Sequence, residues 1–252
     1  MLATLLLYNA ILLAVCAATL AATLASVIRQ DYAEIEHILV DGNSTDGSQQ
    51  ILSAYAAQRS HVHYISEQDN GIYDAINKGI RRATGDIIGI LNSDDVLASP
   101  EVISHIVHAF QSAQSPDVVY GDLVYCNGEK VIRRWKSNAF NPKSLKYGWM
   151  PPHPTLYCLR KVYEEQGLYD DHFRISADYD FMLRVFKQNY RVTYLPEVLV
   201  HMSIGGASNR NLHALLRKSY EDMQAMRKNH VGAGALTVAA KILRKCKQFL
   251  RK

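Results

Sequence analysis

Short apolar runs alternate with amphipathic stretches along most of this chain. Ile38-Leu39-Val40, Val62-His63-Tyr64-Ile65, Ile87-Ile88-Gly89-Ile90-Leu91 and Val118-Val119-Tyr120 are the clearest of them. Runs of this length predict buried strands, and the helical stretches between them predict a mostly parallel sheet with helices on both faces. Helices are expected over residues 48–59, capped by Thr45 or Asp46, and over residues 73–83. Past Tyr120 the pattern changes. Asn127-Gly128, flanked by apolar-rich segments at 123–126 and 130–133, predicts a hairpin. Residues 135–154, rich in proline and aromatics, predict a long loop serving as a lid or an acceptor platform. Residues 173–187 predict a helix with Asp178 and Asp180 near its start.

Residues 1–28 contain no Asp, Glu, Lys, Arg or His. That length permits a membrane span. However, Tyr8-Asn9 interrupts the run, and the periodicity from Ala18 to Ile28 favours strand, turn and buried helix over an anchor. No basic residue precedes the apolar run, which argues against a cleaved signal.

Composition narrows the class. With 252 residues, 48% hydrophobic and 21% charged, the chain can bury a full core, so disorder is not expected. Cys16, Cys126, Cys158 and Cys246 lie far apart, which suggests neither a zinc site nor a disulfide framework and fits a reducing compartment. Asn43-Ser44-Thr45 matches a glycosylation sequon, but such triplets arise by chance. The net charge of +4 is unevenly placed, because Lys241, Arg244, Lys245, Lys247, Arg251 and Lys252 crowd the tail. No basic stripe interleaved with stacking aromatics occurs elsewhere, so nucleic acid is not an expected partner. In the tail, Ala239, Ile242, Leu243, Cys246, Phe249 and Leu250 recur at helical spacing between the basic residues. This predicts a helix lying on an anionic membrane surface, hence a cytoplasmic protein held peripherally at the inner membrane.

The candidate chemistry follows from where the acids fall. Asp41, then Glu67 and Asp69, then Asp94 and Asp95 each follow one of the predicted strands. In an open α/β sheet the ligand crevice lies outside the carboxyl ends of the strands, so these acids converge on one rim. Taken singly, Asp41-Gly42 or Asp46-Gly47 is an ordinary turn. Two adjacent carboxylates after a strand as apolar as Ile87–Leu91 repel each other unless a cation relieves them. Asp94 and Asp95 are therefore candidate ligands for Mg²⁺ or Mn²⁺, which would counter the charge of a leaving diphosphate. Asp41 and Asp69 can accept hydrogen bonds from a nucleoside, and Asp178 is a candidate base on a separate element. Asp74 and Lys78 form either a solvated helix face or a contact to the diphosphate, and His201 either completes the metal site or is a satisfied surface histidine. His153 is a weaker candidate on the acceptor side, and Gly205-Gly206 would allow a loop to close over the donor. Neither a Walker loop nor G-x-G-x-x-G is present, which disfavours ATP-driven and dinucleotide chemistry.

Five ordered segments carry a resemblance: Val40 to Gly47, Ser66 to Gly79, Ala83 to Asp86, Leu91 to Asp95, and Ser176 to Asp180. Together they resemble the family 2 glycosyltransferases of the GT-A fold, and more narrowly the bacterial enzymes that build colanic acid, O-antigen and exopolysaccharide. The resemblance implies a Rossmann-like, mostly parallel α/β sheet with a small acceptor-side β/loop region and C-terminal helices. Residues 1–205 would then form one GT-A domain, with 1–119 the nucleotide-binding half and 120–205 the acceptor half. Residues 206–252 would be a helical, basic extension.

By position, the resemblance gives Asp41 and Asp69 to the nucleotide, and Asp94 to the ribose and diphosphate. It makes Asp95 the nearer metal ligand and Asp178 the base of an inverting transfer. Position alone would make Asp178 a helix-start acid favoured by the dipole. The implied partners are a nucleotide-sugar, preferably a uridine diphosphate sugar, and a lipid-linked glycan. Two departures stand out: Asn92 replaces the leading acid of the D-x-D-like element, and Ala10–Ala17 separates Tyr8-Asn9 from the first helix. The alternatives are a sugar nucleotidyltransferase, disfavoured because residues 1–28 lack Gly, Lys and Arg, and a catalytically impaired nucleotide-sugar-binding protein.

Overall fold

The computed structural model describes residues 5–11, 17–128, 130–204, 212–232 and 237. The first half of the chain alternates strand and helix: β1 (Leu5–Ile11), α1 (Ala17–Ile28), β2 (Ile35–Asp41), α2 (Ser48–Ala57), β3 (Val62–Ser66), α3 (Ile72–Arg82) and β4 (Ile87–Asn92). The short β5 (Asp95–Leu97) and α4 (Val102–Gln111) lead into the hairpin of β6 (Val118–Asn127) and β7 (Lys130–Trp135). Two 3-10 turns, Pro142–Tyr147 and His153–Thr155, precede β8 (Leu156–Leu159), α5 (Arg160–Gln166), α6 (Ala177–Phe186), β9 (Val192–Ser203) and α7 (Leu212–Lys228).

One sheet joins all the strands in the order β3-β2-β1-β4-β8-β6-β9-β5, with β7 paired to β6. The first four are mutually parallel, so the carboxyl ends of β2, β3 and β4 share one edge. Strands β2 and β4 are buried almost throughout, as strands covered on both faces must be. Helix α3 buries Tyr73, Ile76, Asn77 and Ile80, one face at helical spacing. The second half of the sheet is mixed, because β8 runs antiparallel between β4 and β6. Gly89 makes that insertion possible: it pairs with Tyr157, whose ring would lie 2.1 Å from any Cβ at this position. The apolar run 118–120 is a strand as expected, but it does not neighbour β4.

Three further expectations are revised. Tyr8-Asn9 lies within β1, paired in register with Ile38 and Leu39, and the strand continues to Ile11 opposite Asp41. Strand followed by helix is observed, but the break is not at Tyr8-Asn9. The helix expected from Phe173 begins at Ala177, and Phe173 is buried ahead of it. The segment 135–154 is anchored, not a free lid. Trp149, Met150 and Leu145 sit in the main core, and Trp149 packs against Phe186, Tyr120 and Phe140 at centroid distances of 5.2, 5.6 and 5.1 Å. The Trp149 indole N–H donates to the Ser137 carbonyl, so the ring is buried without losing a polar partner.

Cys126 and Cys158 are free thiols. No helix among the described residues is long and apolar enough to cross a membrane. The Gly205-Gly206 pair and the basic segment 239–252 lie outside the described residues.

Candidate active site

The parallel edge carries the first of the candidate acids. Asp41, at the end of β2, is fully buried, and its carboxylate accepts the Ser44 N–H at 3.1 Å and the Ser66 hydroxyl at 2.7 Å. It therefore ties the loop after β2 to the end of β3. Asp69 accepts the Gly71 N–H at 2.9 Å, and burial raises its carboxyl above the ordinary range. Its carboxylate lies directly against Gly42, where an added Cβ would stand 2.3 Å from Oδ2. Only a glycine lets these two loops close on each other.

Asp74 and Lys78 pair at 3.4 Å, one helical turn apart. Asp74 also accepts the Asn70 N–H, and Lys78 donates to the Gln68 carbonyl at 2.7 Å and meets Glu67 at 3.3 Å. The two side chains thus brace the loop that presents Asp69.

At the end of β4 the chain turns through Asn92-Ser93-Asp94 into Asp95, the first residue of β5. Asp94 is half-buried and Asp95 fully buried. Burial first, then the adjacent Asp94 charge, holds the Asp95 carboxyl well above the usual range. Its Oδ2 accepts the Asn92 amide at 2.7 Å, whereas Oδ1 is buried with no hydrogen-bond partner. Asn92 thus takes the place of a third carboxylate and donates to Asp95, which lowers the repulsion at this turn. From behind, α1 supports the turn through Thr23, whose hydroxyl donates to the Ser93 carbonyl at 2.9 Å.

Asp95 opens a row across four strands. It pairs with Met202 of β9, Met202 with Tyr125 of β6, and Tyr125 with Arg133 of β7, so the four side chains share a face. His201 pairs with Val96 and belongs to the alternate face. It is half-buried; burial, then Arg134, lowers its pKa. The only three-residue set of His, Cys, Asp or Glu with converging ligand atoms among the described residues is Asp170, Asp171 and His172, away from this turn. His201 is therefore not gathered with Asp94 and Asp95 into a ready three-ligand set.

Asp178 stands in the first turn of α6, half-buried. Its Oδ1 accepts the Tyr179 N–H at 2.8 Å and the Tyr73 hydroxyl at 3.3 Å. The Tyr73 hydroxyl shares its one proton with the Ile175 carbonyl, the nearer acceptor at 2.7 Å. Burial, and then the Asp178 charge, raises the Tyr73 phenol well above its ordinary range, so it remains a donor. Tyr125 is raised chiefly by burial, and the charges of Asp95 and Asp178 add to that shift. His153 is half-buried and bonds the Tyr169 hydroxyl at 2.8 Å. Asp180 points the other way, bonded to Arg184, Lys228 and Asn229.

The structure adds groups to which the motifs assigned no role: Tyr73, Tyr125, Arg133 and, from α7, Lys218, Glu221 and Asp222. Tyr73 sits inside the segment Gly71-Ile72-Tyr73-Asp74, so its neighbour Asp74 was a signal. The α7 residues had only their helical spacing.

Comparison with known proteins gives the family and the fold. The model of "Glycosyl transferase family 2" matches residues 6–179. A PGL/p-HBAD biosynthesis glycosyltransferase of Mycobacterium tuberculosis is 32% identical over 198 residues, covering 77% of this chain and 75% of that protein. The chain belongs to glycosyl transferase family 2, and it is a glycosyltransferase. Among solved structures, the mannosyltransferase PcManGT from Pyrobaculum calidifontis, in complex with GDP-Man and Mn²⁺, is similar with a TM-score of 0.67 at 17% identity, covering 99% of this chain and 70% of that one. S. aureus TarS 1–349 in complex with UDP-GlcNAc gives 0.68 at 16%, covering 89% and 64%. At such identities the likeness is one of fold, that of GT-A glycosyltransferases.

Proposed function

We propose that this protein transfers a sugar, with inversion, from a nucleotide-sugar to a hydroxyl of a glycan acceptor. The observation that carries the reading is the gathering of Asp41, Asp69 and Asp94-Asp95 along one parallel edge, with Asp178 bonded to Tyr73 on the helix that follows Asp69. The acceptor oxygen attacks the anomeric carbon, the bond from that carbon to the diphosphate breaks, and the proton passes to Asp178. Oδ1 of Asp178 is engaged by Tyr73 and Tyr179, so Oδ2, which has no hydrogen bond among the described residues, takes the proton.

Asp94 and Asp95 fit a divalent cation, because Asp95 Oδ1 is a buried acceptor without a donor and the adjacent carboxylates repel. A cation held there would neutralise charge on the departing diphosphate. Asp69, braced by Asp74 and Lys78, faces the nucleoside, while Asp41 fixes the loop beside it. A uridine donor is the preferred reading, since uracil offers an imide N–H to such a carboxylate. The similar structures bind GDP-Man in one case and UDP-GlcNAc in the other. A lipid-linked acceptor, and attachment to the inner membrane surface through the basic segment at 239–252, rest on the sequence resemblance and the charge pattern.

The test is a thermal-shift screen of UDP-glucose, UDP-galactose, UDP-N-acetylglucosamine and GDP-mannose, with and without Mn²⁺ or Mg²⁺. Stabilisation by one donor that requires the metal is the expected outcome. Stabilisation by a nucleoside triphosphate, with pyrophosphate released on adding a sugar phosphate, would replace this reading with nucleotidyl transfer.

A further inference from the structure

We infer that Glu221 on α7, assisted by Asp222 and by Tyr73 on α3, is a positioning residue that sets the place of the Asp178 carboxylate. The proposal rests on Asp178 acting as the base. Helix α6 begins without a cap of its own, because the side chain at its N-cap, Ser176, accepts no hydrogen bond from the first turn. The Ser176 hydroxyl donates to Asp222 Oδ1 at 2.8 Å instead. Glu221 Oε2 accepts the backbone N–H of Ile175 at 2.7 Å and that of Ser176 at 3.0 Å. From the opposite side Tyr73 donates to the Ile175 carbonyl at 2.7 Å and reaches Asp178 Oδ1.

Two and three residues before the proposed base, therefore, the backbone is held at its N–H groups by α7 and at the Ile175 carbonyl by α3. Glu221 and Asp222 are both buried, at 4% exposure. Placing two carboxylates there is costly unless they are bonded and countered. Arg217 meets Glu221 at 2.9 Å, and Lys218 faces the same group. Burial alone would lower the Lys218 pKa, but Asp222, Asp178, Glu221 and Tyr125 together raise it, so it stays charged beside the base. A helix needing only a stable start would be served by its own Ser176. The more expensive arrangement fixes the origin of α6 relative to the sheet, and with it the direction of Asp178. Helix α7 lies beyond the family-matched residues 6–179, so this hold on the base comes from outside the shared segment.

The experiment measures kcat and donor KM on the full chain, with whichever donor of the four-member panel the wild type uses, alongside melting temperature. Glu221→Ala is expected to lower kcat by about 100-fold while leaving donor KM within about twofold, because a small displacement of a reacting group is that costly. Glu221→Gln keeps a carbonyl acceptor for the two N–H groups and is expected to recover most of that loss. An unaltered kcat for Glu221→Ala, assayed well below its melting temperature, overturns the proposal. If that variant does not fold, Asp222→Asn and Tyr73→Phe decide: each is expected to lower kcat about tenfold at constant donor KM, and wild-type turnover by both overturns the proposal. Wild-type turnover by Asp178→Asn in the same assay would point instead to failure of the base reading beneath it.

Discussion

The two halves of the sheet hold their acids in different ways. In the parallel half the contacts are local. Among the candidate site acids there, Asp69 bonds a residue two positions on, Asn92 and Asp95 are three apart, Asp74 bonds a residue four away, and Asp41 reaches Ser66 across 25. In the mixed half acids are held from afar: Asp178 by the Tyr73 hydroxyl at a separation of 105, Glu221 by the Ser176 backbone N–H at 45, Asp122 by the Tyr194 hydroxyl at 72. A binding edge can be built from loops that fold on themselves. The proposed base is held instead by elements that converge only when the domain is complete.

If that division is functional, changes on each side should separate binding from turnover. The largest expected effect is Asp178→Asn, with kcat reduced about a thousandfold, the scale of a lost general base, and donor affinity retained by calorimetry. Wild-type turnover by this variant would remove Asp178 as base. Next is Phe186→Ala, which empties the aromatic cluster around Trp149, Tyr120 and Phe140. A loss of about 3 kcal/mol in urea unfolding is expected, with turnover falling more than donor affinity among the molecules that remain folded. Equal losses in both would erase the distinction.

The parallel half has its own pH signature. His37, in β2, is fully buried and edge-on to Tyr55, and burial lowers its pKa to about 3. Above the ordinary histidine range both folded and unfolded states are neutral, so stability is flat. As pH falls, the unfolded state binds the proton first, and stability declines until the folded-state pKa is reached. Between pH 7 and 5 the wild type should lose about 2 kcal/mol that His37→Leu does not lose; identical pH slopes in urea titrations would count against it. The smallest effect expected is Gly42→Ala. Its Cβ displaces Asp69, so donor KM should rise about tenfold, roughly 1.4 kcal/mol, while kcat holds.

The same contrast explains what could be read in advance. The strands at 38–40, 62–65 and 87–91 announce themselves because each is apolar and ends in an acid-bearing turn. Helix α3 shows its period directly. Strand β8 gave no such sign: Leu156-Tyr157-Cys158-Leu159 is four residues long, and its place depends on Gly89, far back in the chain, leaving room for Tyr157. The acids at 41, 69, 94, 95 and 178 were visible as residue types at strand and helix ends. Their partners on the far side were not, since nothing near Glu221 or Tyr125 in the sequence refers to Asp178 or Asp95. That segment 135–154 is anchored was not legible, because its proline and aromatic content does not say that Trp149 turns inward; of the two readings, lid or acceptor platform, the anchoring weighs only against a free lid.

Strand β8 also sets an order of events during synthesis. The parallel half is complete once β4 has emerged, yet the outer edge of β4 is covered only by residues 157–159, and β8 starts at Leu156. At about 5–20 residues per second, that edge stays bare for seconds on a growing chain. An exposed row of backbone donors and acceptors on so apolar a strand invites pairing with another nascent copy. Slower elongation between codons 92 and 156 would lengthen that interval, and yield of folded protein should fall with it.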